Sequence, residues 1–329
     1  MKWARHMDKQ ANQNNWVSMV EEARERIAGF AIETPVALIA DEPERFESVQ
    51  LYLKLENLQK TGSFKLRGAA NKVLSLTAKE AAQGVVTSSA GNHGVAVAAS
   101  AHRRGIDAEV FLCQEVSLEK ARWIEGYGAR VRQIGKNPLD AELAARAAAE
   151  DSGRTYVSPY NDPLVVAGQG TVALELGKQV PHLDAIYVAV GGGGLISGIG
   201  AWLNSVSPQT EVIGCWPENA RVLYESLRAG RIIEFPETPT LSESTAGGVE
   251  PGSVTFELCQ KFVRRKVLVS EPEILNAMRW AKKKGWIVEG AAGVAIAAFF
   301  KEARHYQGKT VVVVCCGGNL LPEVASQLS

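Results

Sequence analysis

Short runs rich in β-branched residues alternate along this chain with longer stretches of helical character, and that alternation narrows the fold most. The runs fall at residues 84–87, 108–112, 185–190, 211–214 and 310–314. Each is bounded by Gly, Pro, Asp or Asn, as strands are. Residues 118–127, 140–149 and 273–284 read as helices between them. A strand that is apolar at nearly every position is buried on both faces, and helices must cover those faces. The expectation is an α/β chain with two open, twisted, mostly parallel sheets flanked by helices. The turn-rich Ser158-Pro159-Tyr160-Asn161-Asp162-Pro163 is the candidate crossing between the two units. Residues 1–18 are expected to form a loose arm.

Composition narrows the function. Lys plus Arg and Asp plus Glu each number 36, so the formal charge is zero. A neutral chain offers no electrostatic footprint for nucleic acid or an anionic membrane. Apolar residues at 46% and charged residues at 22% exclude a disordered chain. The five cysteines are odd in number and form no C-x-x-C pair, which points to reduced thiols and a cytoplasmic protein. Residues 1–16 are polar, so no secretory signal is expected there. The apolar stretch 290–300 is shorter than the roughly 20 residues a membrane helix needs. His6, His102, His182 and His305 lack the spacing of metal ligands.

Four segments carry chemistry. In Thr61-Gly62-Ser63-Phe64-Lys65-Leu66-Arg67-Gly68, a lysine between two apolar residues follows a turn that can start a helix. Partly apolar surroundings lower a lysine's pKa and make its amine a nucleophile. In Ser88-Ser89-Ala90-Gly91-Asn92-His93-Gly94, a strand ends in small polar residues before a helix, where backbone N–H groups bind a carboxylate. Gly191-Gly192-Gly193-Gly194-Leu195 follows a strand and can fold into a nest of N–H donors around a phosphate. Its strict G-x-G-x-x-G form is absent, but Gly192, Gly194 and Gly198 fit a looser spacing with Glu218 further on, so this segment alone leaves a nicotinamide dehydrogenase open. The fourth segment, Val314-Cys315-Cys316-Gly317-Gly318-Asn319, is again a strand end. Ligands in open α/β sheets sit beyond the carboxyl ends of strands, so these segments can converge on one cleft.

Together the four segments resemble the pyridoxal-phosphate-dependent serine/threonine dehydratases of the tryptophan-synthase-β fold type, which include serine racemase. The likeness runs from about Thr34 to Pro322 and takes in Ala167-Gly168-Gln169-Gly170-Thr171, Pro251-Gly252-Ser253-Val254-Thr255-Phe256-Glu257 and Val288-Glu289-Gly290-Ala291-Ala292-Gly293. The resemblance implies a small domain, 75–162, inserted in a large cofactor domain, 1–74 and 163–329, with the active site in the cleft between them. It implies a homodimer and a lyase that turns a β-hydroxy amino acid into a 2-oxo acid and ammonia. Lys65 would hold pyridoxal 5′-phosphate as a Schiff base and later move the Cα proton. Phe64 would lie against the pyridine ring, Asn92 on its 3′-oxygen, and Cys316 opposite its nitrogen, with Glu289 lining the site. Gly191, Gly192, Gly193 and Gly194 with Leu195 would cradle the phosphate. Ser89, Ala90, Gly91, Asn92 and His93 would surround the substrate carboxylate.

Several positions depart from the family pattern. Racemases carry a serine where this chain has Ala90, and alanine transfers no proton. The family's divalent-metal site begins with an acid before a proline and ends with an acid a turn later. Here Trp216 precedes Pro217 and Val222 follows, so no metal is expected, although Glu218 and Glu225 are nearby carboxylates. Gly94-Val95 replaces the usual Ala-Gln, and Ser242-Glu243-Ser244-Thr245-Ala246-Gly247-Gly248 lacks an acid before its later glycine. These changes border the substrate region and widen the candidate substrates from threonine and serine to a hydroxylated relative. An amino-acid racemase or a β-replacement synthase on the same scaffold is the second reading. A nicotinamide dehydrogenase is the third, and a catalytically dead binding protein the fourth.

Overall fold

Ten short strands build two separate sheets among the residues that the computed structural model describes, 13–40, 42, 46, 48–320 and 322–328. They are β1 (Val36–Ile39), β2 (Gln50–Lys54), β3 (Val85–Ser88), β4 (Ala108–Leu112), β5 (Arg130–Gln133), β6 (Thr155–Tyr156), β7 (Ala185–Ala189), β8 (Glu211–Pro217), β9 (Arg265–Val269) and β10 (Thr310–Val314). One sheet has the order β1-β2-β10-β7-β8-β9 and the other β5-β4-β3-β6. Every pairing is parallel except β1 with β2. The two α/β sheets expected from the strand pattern are therefore present. The smaller one draws all its strands from residues 85–156.

The apolar runs became the most deeply buried strands. Every residue of β4, β7 and β10 is buried, as two-sided helical cover requires. Val311, Val312, Val313 and Val314 pack with Leu51, Leu53, Ile186 and Val188 in the larger core. Val85, Val110 and Leu112 form the smaller core with Val95 and Ile124. The three helices read from sequence appear as Leu118–Glu125, Pro138–Ser152 and Glu271–Lys283. Asn137 caps the second by accepting from the Asp140 N–H, with proline in its first turn.

Of the arm expected over residues 1–18, residues 1–12 and His6 lie outside the described residues. The remainder is a correction: residues from 13 onward form the helix Gln13–Ile27. Trp16, Val20 and Ala23 recur at helical spacing and pack on Val166, Ala201 and Phe262. No helix among the described residues is long and apolar enough to cross a membrane.

Candidate functional site

Four connections meet where β2, β3, β7 and β10 end. After β2, a 3-10 turn Glu56–Leu58 leads to the helix Lys65–Ser75, of which Lys65 is the first residue. The loop after β10 is sewn onto that connection. The Phe64 N–H donates to the Cys316 carbonyl at 3.0 Å, and the Gly318 N–H to the Gly62 carbonyl at 2.9 Å. The Asn57 N–H donates to the Cys315 carbonyl at 2.9 Å. These bonds fix Lys65 beside Cys316, although 251 positions separate them in the chain (316 − 65).

Phe64, Lys65, Asn92, Gly191, Gly192, Gly193, Gly194, Leu195, Glu289 and Cys316 line a single cavity. Lys65 is half-buried; its Nζ donates to the Pro159 carbonyl at 3.0 Å and lies 5.2 Å from the centre of the Phe64 ring. Loss of hydration pulls its amine down from 10.5 to about 8, even though the nearby Glu289 carboxylate pulls the other way. Glu289 is buried, and burial pushes its carboxyl up from the ordinary value. Hydrogen bonds oppose that shift: Oε2 accepts from Asn92 Nδ2 at 2.8 Å and Oε1 from Ser244 Oγ at 3.1 Å. The Asn92 Oδ1 in turn accepts from Asn319 Nδ2 at 2.7 Å. Burial raises the Cys316 thiol well above its usual range, so it is neutral.

The glycine run turns the chain from β7 into the helix Gly194–Val206. Gly193 has φ +85°, a left-handed conformation that side chains rarely adopt. A Cβ on Gly192 would sit 2.4 Å from the Tyr160 ring, so only glycine leaves the cradle its depth. The N–H groups opening this helix have no carbonyl of their own helix to bind, and the helix dipole adds positive potential. The cradle therefore suits a phosphate.

The second segment is divided. Ser89 and Ala90 are half-buried and Gly91 is exposed on the loop between β3 and the helix Asn92–Arg104. The His93 side chain does not join them. It is buried and its Nε2 contacts the Val157 carbonyl at 3.0 Å. The helix Asn92–Arg104 turns this ring toward Val157, away from the residues that line the cavity.

Sequence reasoning passed through 242–248 and Asn319 but gave no role to Ser244, Thr245 or Tyr160, which also line the cavity, or to Asn319, which orients Asn92. Ser244 lay inside the stretch 242–248, and its position beside Glu289 had no local signal. Glu225 pairs with Arg221 at 3.0 Å and Arg228 at 3.1 Å, and Trp216 is fully buried. Among the described residues, no three of His, Cys, Asp or Glu group together as metal ligands.

Known proteins align with this arrangement over nearly its whole length. The chain is 42% identical to the L-threonine ammonia-lyase of Thermotoga maritima over 272 residues, 82% of this chain and 67% of that protein. It is 37% identical to the catabolic L-threonine dehydratase TdcB of Escherichia coli K12, with 94% of each covered. The crystal structure of serine racemase from Dictyostelium discoideum superposes with a TM-score of 0.86 at 34% identity, covering 93% of this chain and 98% of that one. A family profile described as pyridoxal-phosphate dependent enzyme matches residues 28–317, and the chain belongs to that family.

Proposed function

We propose that Lys65 is the amine that carries the cofactor and that the substrate is a β-hydroxy amino acid, threonine, serine or a hydroxylated relative. The chain is a lyase of the threonine dehydratase kind, releasing ammonia and a 2-oxo acid. One observation carries the residue assignment: a lysine amine lowered to about 8, the glycine cradle and the Asn92–Glu289 pair line one cavity. The residues fit pyridoxal phosphate. Gly191, Gly192, Gly193, Gly194 and Leu195 would hold its phosphate, Phe64 would pack on its ring, and Asn92, Glu289 and Cys316 would surround the ring's polar edge. When bound, that group supplies an aldehyde for amine exchange and an electron sink.

The chain's own groups do the rest. As a free amine, Lys65 Nζ would remove the α-proton, and the Pro159 carbonyl would accept a hydrogen bond from the resulting ammonium. Ser89, Ala90, Gly91 and the N-terminus of the Asn92–Arg104 helix offer N–H groups to the substrate carboxylate. Ala90 carries no group that can return a proton to the opposite face, so elimination proceeds without racemisation. We take 75–162 as the small domain and 1–74 with 163–329 as the large one, with the cavity between them. A homodimer and a cytoplasmic location complete the proposal; the five free thiols support the second.

A panel of β-hydroxy amino acids, assayed for ammonia and 2-oxo acid without added thiol, tests this reading. Ammonia release with retained substrate configuration is expected. Product formation only with an added nucleophile would establish the synthase instead, and inversion without ammonia the racemase.

Cys316 yields a further expectation. Cys316 would stand near the ring nitrogen of the bound group, and a neutral thiol there would leave that nitrogen unprotonated and disfavour transamination. Cys316→Asp should raise the yield of pyridoxamine phosphate per ammonia released, measured by chromatography. An unchanged ratio would remove Cys316 from this role.

A further inference from the structure

His93 belongs to the segment facing the substrate, yet its ring lies inside the protein. A carbonyl oxygen only accepts, so the contact with the Val157 oxygen requires the proton on Nε2. The Nδ1 atom is buried without a hydrogen-bond partner among the described residues. Loss of hydration and the nearby Lys65 charge lower the ring to about 3, so it is neutral. A buried neutral imidazole with one satisfied atom is costly, and the contact it makes must be useful.

That contact leads directly to Lys65. The Val157 carbonyl accepts from both His93 Nε2 and the Thr87 hydroxyl, the latter at 2.8 Å. The Val157 N–H donates to the Val86 carbonyl at 2.8 Å. Two residues later the chain presents the Pro159 carbonyl to Lys65 Nζ at 3.0 Å. Proline fixes its own φ and offers no N–H, so residue 159 faces the amine only as an acceptor. The Ser158 Oγ accepts from the Asn161 N–H at 3.0 Å and closes the turn beyond. The run 157–159 is thereby pinned at both ends.

We propose that His93 is a positioning residue for Lys65: by holding Val157, it keeps the Pro159 carbonyl where the ε-ammonium docks. This rests on the reading that Lys65 carries the cofactor. The ring acts through two backbone carbonyls and touches no reacting atom.

The test uses cofactor-free protein and labels Lys65 with trinitrobenzenesulfonate across neutral and alkaline pH, with mass spectrometry resolving the site. Losing an acceptor disfavours the ammonium and frees the amine. His93→Leu should therefore label roughly 3- to 10-fold faster at neutral pH, with its labelling profile moved to lower pH. His93→Gln, which keeps a donor, should label as the parent does. Pro159→Gly, which loosens the same carbonyl while sparing the ring, should also label faster and decides the matter if His93→Leu does not fold. Parent-like labelling of folded His93→Leu or of Pro159→Gly would overturn the proposal. So would a His93→Gln variant that labels as fast as His93→Leu at equal melting temperature. Borohydride reduction after adding pyridoxal phosphate tests the underlying reading separately. A pyridoxyl group on another lysine would remove Lys65 as carrier whatever the labelling shows.

Discussion

Lys65→Ala is expected to purify without a borohydride-reducible cofactor and to turn substrate over at least roughly 10³-fold more slowly than the parent. The physical reason is the supply of neutral amine. At pH 7 an amine at about 8 is unprotonated in about one molecule in ten, whereas at 10.5 the fraction is about one in three thousand. Burial therefore gives the parent about three hundredfold more nucleophile than a solvated lysine has. Among the described residues no other lysine lines the cavity. The variant should nevertheless fold. Lys65 is half-buried and opens its helix, and its side chain bonds to the Pro159 carbonyl. Alanine suits a helix at least as well. Circular dichroism and melting should match the cofactor-free parent. Absorbance of the loaded protein and peptide mapping after borohydride provide the check, and retained turnover would refute the assignment of Lys65.

The parts of this architecture that sequence revealed are those where one physical demand acts alone. β7 and β10 are buried on both faces, so they read as unbroken apolar runs. Gly191 to Gly194 stood out because four glycines are entropically costly unless the backbone itself is used. The edges of the larger sheet were harder to read. β1 and β9 are only partly buried, and Arg265 and Lys266 break the apolar pattern of β9. The first residues of the helix Gln13–Ile27 fall inside the arm expected over 1–18, because that stretch is polar overall. Yet Trp16, Val20, Ala23 and Ile27, all buried, follow helical spacing and were there to be found. The direction of the His93 ring was hidden for another reason. A motif string gives a residue's neighbours in the chain, but the direction of its ring is set by how the helix Asn92–Arg104 rolls against β3. Ser244 and Asn319 reach the site from distant loops, and such pairings have no local signature.

The buried charges beneath Lys65 are the clearest case of a feature without a local signature, and they set the second expected result: Arg67→Met should destabilise the cofactor-free protein by about 3–5 kcal/mol. Arg67 is 1% exposed and lies two residues after Lys65 on the same helix. Its guanidinium forks onto Glu56 at 2.7 and 2.8 Å and onto Glu175 at 2.5 and 2.8 Å, with Thr171 at 3.1 Å. Lys54 Nζ joins Glu175 at 2.6 Å, so two cations face two carboxylates in the interior. Burial pushes the Glu56 carboxyl up, but the charge and hydrogen bonds of Arg67 outweigh it and hold the group below its ordinary range. Methionine fills much of the volume but leaves two buried carboxylates with only Lys54 to balance them. That uncompensated charge, rather than lost attraction, is what makes the change costly. It is a large part of the roughly 5–15 kcal/mol that a folded domain commands. Arg67→Lys keeps the charge but loses the fork, and should cost less than methionine. Arg67→Met combined with Glu56→Gln should recover part of the loss, because one orphaned carboxylate is then gone. Urea unfolding of the cofactor-free proteins measures all three. A loss below about 1 kcal/mol in Arg67→Met would show that water enters the site and solvates the carboxylates.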